Sequence, residues 1–154
     1  MFIEDSRRPP RAANLYGLAG VLPFVVGLLL MYLGLSPAQQ ALGLDLFVYY
    51  GAVILSFLGG VRWGAALTRP HWKALGMAVA PSLLAVMALL LDRQLGLKVL
   101  AGSFLLVGIF DGLRRTESTW PNWFKQLRSR LTVAVVTLHL LAVFLCAGSW
   151  GVSA

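Results

Sequence analysis

The sequence predicts an all-α polytopic membrane protein, a bundle of five transmembrane helices with a short interfacial amphipathic helix before the last. Three observations predict it. Hydrophobic residues fill 58% of the 154 positions and charged residues only 12%, against about 25% charged in a soluble domain. Five apolar runs, each near one bilayer thickness, follow one another without a polar domain between them. The basic residues gather in alternate connections, as membrane topology requires.

Residues 1–14 form a basic tail with Arg7, Arg8 and Arg11, and residues 15–152 a single membrane domain. The first span covers 15–35. It is longer than a signal-peptide core, and the following SPAQQALGLD lacks a convincing A-x-A cleavage site, so it is read as retained. Gly20, Gly27 and Gly34 recur every seven positions, a helix-packing seam. Pro23 removes a backbone donor and frees the Ala19 carbonyl.

The second span, 46–67, reads LFVYYGAVILSFLGGVRWGAAL. Ala52, Ser56, Gly60 and Gly64, then Thr68, stand four apart on one face, where small residues would let another helix approach. The third span, 74–91, contains Pro81, which frees the Met77 carbonyl. The fourth, 96–112, is bounded by Lys98 and Asp111, and the fifth covers 131–152.

Before the fifth span lies RRTESTWPNWFKQLRSR. Pro121 suits the first turn of a helix over about 120–130. Trp120, Trp123, Phe124, Leu127 and Leu131 fall on one face, with Lys125, Arg128 and Arg130 mostly elsewhere. That pattern suits a helix lying at the headgroups, and a plain tether into the fifth span is compatible with it. The five unequal spans show no internal repeat of the kind an inverted-repeat transporter carries.

With five spans, ten of the thirteen Lys and Arg residues fall on one side, in the tail and in segments 68–73 and 113–130. Arg93 and Lys98 fall on the other. The expectation is a bacterial inner membrane, or the mitochondrial inner membrane, with the N-terminus cytoplasmic (or facing the matrix) and the C-terminus opposite. Topology accounts for the net charge of +7, so no nucleic-acid partner is expected. The expected partners are the lipid bilayer, and other membrane subunits or a second copy through glycine-rich helix faces.

Three polar residues stand out inside the spans. Arg62 lies about 8 Å from the midplane, well around the helix from the small-residue ridge. It either snorkels to the headgroups or pairs with Asp111, which sits at similar depth on a span running the same way. His139 is near the centre of the fifth span. It is read as a hydrogen-bonded packing residue, with proton relay or ligand binding as the alternative. His71 is too far along the membrane normal to share a metal with it. The single Cys146 excludes an internal disulfide and reads as apolar filler. Glu4, Asp5, Asp45, Asp92 and Glu117 are placed in tails and loops.

Hydrolase, metalloprotease, nucleotide-binding and calcium-loop motifs are missing, so no enzyme, metal or catalytic residue is expected and the cofactor is unknown. The favoured function is a non-enzymatic scaffold, accessory subunit or assembly factor of a membrane complex. A small channel or carrier with Arg62, Asp111 and His139 on its path is one alternative. A lipid- or quinone-binding protein using Trp120, Trp123 and Phe124 is another.

Residues 50–64, YGAVILSFLGGVRWG, contain the core Ser56, Phe57, Leu58, Gly59, Gly60, Arg62, Trp63 and Gly64. This resembles the signature of the transmembrane-protein-69-like family known as domain of unknown function 3429. Leu22, Pro23 and Phe24, Pro81 to Leu84, Asp111, Leu127 and Arg128, and Leu131 and Thr132 extend the resemblance over 22–132. It implies a multi-span protein of proteobacterial inner membranes and mitochondria. It carries over no activity, and the matched positions have no assigned role.

Overall fold

The computed structural model describes residues 10–68, 70–113 and 120–149. Helices α1 (Arg11–Ala19) and α2 (Leu22–Leu33) form the first segment. Helix α3 (Pro37–Asp45), a π-helical turn (Leu46–Tyr50) and α4 (Gly51–Ala66) run on as the second. Helices α5 (Trp72–Leu90), α6 (Arg93–Leu113) and α7 (Asn122–Ser149) complete the bundle. These make five helical segments of 19 to 30 residues, long and apolar enough to cross a membrane.

Local chemistry sets the starts. Ser36 caps α3, its hydroxyl accepting from the Gln39 N–H at 3.3 Å, with Pro37 at the first helical position. His71 caps α5 through Nδ1, which accepts from the Ala74 N–H at 3.0 Å. Asp92 caps α6, one carboxylate oxygen accepting from Gln94 N at 3.1 Å and Leu95 N at 3.0 Å.

The first segment is interrupted where a kink was expected. Helix α1 stops at Ala19 and α2 restarts at Leu22, so Pro23 falls in the first turn of a new helix, where its missing donor costs nothing. The Phe24 N–H turns to Val21 O at 3.1 Å. The Gly20 carbonyl then accepts the Tyr50 hydroxyl at 2.9 Å, tying the break to the π turn.

Helix α4 packs on α5, α5 on α6 and α6 on α7, and α7 returns to α2. Phe24, Phe47, Leu55, Leu97, Leu100, Phe104 and His139 are the large side chains fully buried at the centre. In lipid the helices gain little from hydrophobic burial, so close backbone approach carries the packing. Gly59 is one such place: a Cβ there would stand 2.7 Å from the Ala78 carbonyl of α5. Gly43 is another, its absent Cβ leaving 2.6 Å to the Gly27 carbonyl of α2.

These contacts correct the packing faces expected from sequence. Gly60 and Gly64 are exposed, and a Cβ on either meets nothing within 4 Å. The packing face of α4 instead runs through Ala52, Leu55 and Gly59. It includes a leucine, which a search for small residues passes over. In the glycine seam of the first span, Gly27 packs on Gly43, whereas Gly34 ends α2 with ψ near 119°.

Asp45, expected in a loop, closes α3 inside the second segment. Its carboxylate lies 2.8 Å from Arg93 Nε, a charge contact and not an aligned hydrogen bond. The interfacial helix expected over 120–130 is the opening of α7, which runs unbroken through Leu131. At 28 residues α7 exceeds the span of about 20 that a bilayer core requires, leaving two turns for the headgroup level. Glu4, Asp5, Arg69 and Glu117 lie outside the described residues.

Candidate functional site

Asp111, in the last turns of α6, gathers two arginines. Arg62 Nη2 of α4 donates to Asp111 Oδ1 and also to the Val107 carbonyl at 3.4 Å. Arg128 Nε of α7 donates to Asp111 Oδ2 at 2.6 Å. One carboxylate thus ties three helices, each oxygen taking a different guanidinium. The side chains of Arg62, Asp111 and Arg128 are 10%, 18% and 6% exposed, so the charges are largely removed from solvent. Both guanidinium planes lean on aromatic rings. Arg62 lies 4.4 Å from the Phe110 centroid and Arg128 lies 5.1 Å from that of Trp120.

Beside the cluster is a cavity of about 570 Å³, within the range of small-molecule sites. Ala65 and Ala66 of α4, Ala74 and Ala78 of α5, Gly108 of α6 and Thr132 of α7 give it room. Arg62, Asp111, Lys125, Arg128 and Trp120 close one end. Met77, Ile109 and Val133 belong to the wall and are also exposed on the outside of the bundle, so apolar surface borders the cavity.

The structure therefore brings Arg62 and Asp111 together and leaves His139 elsewhere. His139 is fully buried, its ring 5.0, 5.1 and 4.9 Å from those of Phe24, Phe47 and Phe104. Its Nδ1–H donates to the Val135 carbonyl at 2.9 Å. Gly51 gives the ring its place, since a Cβ there would stand 3.2 Å from Nε2. His139 is not part of the cavity wall. Trp120 is part of it, while Trp123 and Phe124 stack edge-to-face beside it. Pro81 is buried near Gly59 at the α4–α5 contact. Among the described residues no three His, Cys, Asp or Glu side chains gather closely enough to hold a metal ion.

Arg128 is the residue the sequence reading misplaced. It was expected to face the headgroups with the other bases and is instead turned inward. The signal was its position: four residues after Phe124 and eight after Trp120, it shares the aromatic face.

The family described as "Protein of unknown function (DUF3429)" matches residues 9–145, and so covers every residue of the charge cluster and cavity. The chain belongs to the DUF3429 family. Transmembrane protein 69 of Xenopus tropicalis is 40% identical over 148 residues, covering 87% of this chain and 54% of that protein. Transmembrane protein 69 of Mus musculus is 31% identical over 148 residues, covering 88% of this chain and 58% of that protein. The chain thus spans a little over half the length of these relatives. No solved structure matches it. This DUF3429 chain is a membrane protein of a family without a defined activity.

Proposed function

We propose that this protein binds a bilayer amphiphile, a lipid or a quinone, in the cavity between α4, α5, α6 and α7. One observation carries the reading: the cavity wall joins apolar side chains exposed on the outside of the bundle to a cluster of charged and aromatic groups. An amphiphile has that same division. Its chain would lie along Met77, Ile109 and Val133, and its head would meet Arg128, Lys125 and Trp120. The basic end of the bundle is read as the cytoplasmic or matrix side of an inner membrane.

The scaffold reading rested on small size, glycine-rich helix faces and missing catalytic groups, and the cavity gives the amphiphile reading a feature of its own. The channel reading needs Arg62, Asp111 and His139 on one path, whereas phenyl rings enclose His139 away from the cavity. An accessory role within a complex is compatible with a bound amphiphile.

The test is mass spectrometry of the protein purified in mild detergent from native membranes. A co-purifying lipid or quinone near one per chain is expected. Ala65→Phe, which fills the cavity, should remove it while leaving the helical spectrum unchanged. Retention of the same ligand by the filled variant would exclude the cavity as its site.

A further inference from the structure

We infer that the head of the cavity takes an anionic phosphate group, held by Arg128 and Lys125. This rests on the amphiphile reading above and names the ligand chemistry. Among the described wall residues the charged groups are Arg62, Lys125, Arg128 and Asp111, three cations against one anion. A neutral quinone head would leave that excess in place, and an anion offsets it.

The donors point the same way. Arg128 is 6% exposed and commits Nε to Asp111, while its Nη2 is buried without a hydrogen-bond partner. A buried guanidinium N–H without an acceptor is costly, and a phosphate oxygen is a well-matched acceptor for it. Lys125 stands three residues earlier on α7, so both side chains project from adjacent turns of one face. Thr132 and Ser129, also in the wall, add hydroxyls one turn further along. The Trp120 ring over Arg128 and the Asp111 carboxylate fix the guanidinium plane before any ligand arrives. Basic recesses between membrane helices are suited to anionic lipid heads, and the exposed apolar wall below suits an acyl chain.

The same chemistry could come from a lipid or from free phosphate, and the experiment separates them. The full chain in lipid nanodiscs is examined by native mass spectrometry. The nanodiscs contain phosphatidylcholine with added phosphatidylglycerol, ubiquinone or inorganic phosphate. Retained phosphatidylglycerol, preferred at least tenfold over phosphatidylcholine, is expected. Lys125→Gln should cut that preference severalfold, and Arg128→Gln should abolish it. Lys125→Gln makes no tie between helices, so it reports on the site even where Arg128→Gln fails to fold. Ala65→Phe should remove the retained lipid altogether.

Retention of inorganic phosphate without phosphatidylglycerol, dependent on the same two residues, supports phosphate recognition and assigns it to the free ion. Equal retention of phosphatidylglycerol and phosphatidylcholine, or ubiquinone retained in preference, overturns the phosphate inference and leaves the amphiphile reading standing. No ligand lost on filling the cavity overturns both.

Discussion

Neutralising Asp111 tests whether the charge cluster holds the bundle. In Asp111→Asn the amide oxygen keeps one acceptor, while Arg62 and Arg128, at 10% and 6% exposure, lose their counter-charge. Removing one partner of a buried ion pair costs about 3–5 kcal/mol. The two guanidinium groups, left without the carboxylate between them, also repel each other. Relaxation toward the headgroups, through the 18% of Asp111 still exposed, offsets part of both, since long basic side chains snorkel. The net expectation is a loss of about 3 kcal/mol, a change of roughly 150-fold in the folding equilibrium. Reversible unfolding by sodium dodecyl sulfate in mixed micelles, followed by circular dichroism, measures it. The triple variant Arg62→Met, Asp111→Leu and Arg128→Met removes all three charges and should lie within about 1 kcal/mol of the parent. An Asp111→Asn protein within about 0.5 kcal/mol of the parent, or a triple variant as unstable as the single one, would falsify the buried-tie account.

Other substitutions probe the packing. Gly59→Ala should destabilise by about 2 kcal/mol or more, because its Cβ would meet the Ala78 carbonyl at 2.7 Å. Gly60→Ala and Gly64→Ala, with nothing within 4 Å, should be neutral or slightly stabilising in the same unfolding titration. Tyr50→Phe should cost about 1 kcal/mol by removing the hydroxyl from the Gly20 carbonyl; an unchanged midpoint would mean that water or lipid replaces that bond. His139→Leu should lower stability through lost ring packing and leave any retained lipid unchanged. Loss of the ligand in a folded His139→Leu protein would contradict the separation of His139 from the cavity.

The spans were legible because the bilayer imposes one length and one polarity on every crossing segment. Their edges were less so. PAQQALGLD looks like a loop by composition, yet Ser36 caps it and Gly43 packs it on Gly27, so the second segment starts at Pro37. Pro121 marks a helix start, but nothing in the residues after it breaks the helix before Leu131, so the interfacial turns and the crossing segment are continuous. The glycine ridge misled because Gly59 and Gly60 are neighbours. Sequence spacing alone does not say which of two adjacent faces meets α5. Within the site, matched depth put Arg62 and Asp111 within reach of each other. The inward turn of Arg128 depended on the aromatic face of α7, which sequence reading assigned to the headgroups. The cavity was not legible, because a void is set by how far α5 and α7 stand apart and no residue pattern encodes that distance.

The composition of the cluster bears on why it is there. A tie between helices in lipid is least costly when it is neutral, one cation to one anion, since each uncompensated charge carries its own desolvation penalty. Here Asp111 serves two arginines, and Lys125 stands in the same wall. Helix tying explains Asp111 with either arginine; it does not explain both together with a lysine. An arginine suits a double duty that lysine does not, because its planar fork fixes one N–H on a carboxylate while presenting the others elsewhere. Arg128 has that arrangement, with Nε on Asp111, its plane against Trp120 and Nη2 without an acceptor. Among the described residues, the excess positive charge is thus placed where the bundle leaves room beside it. A structural tie and an anion site built from the same three side chains would make ligand occupancy stabilise the fold. A folding midpoint that rises with phosphatidylglycerol in the parent protein, and rises less at the same lipid concentration in Lys125→Gln, is the signature of that coupling.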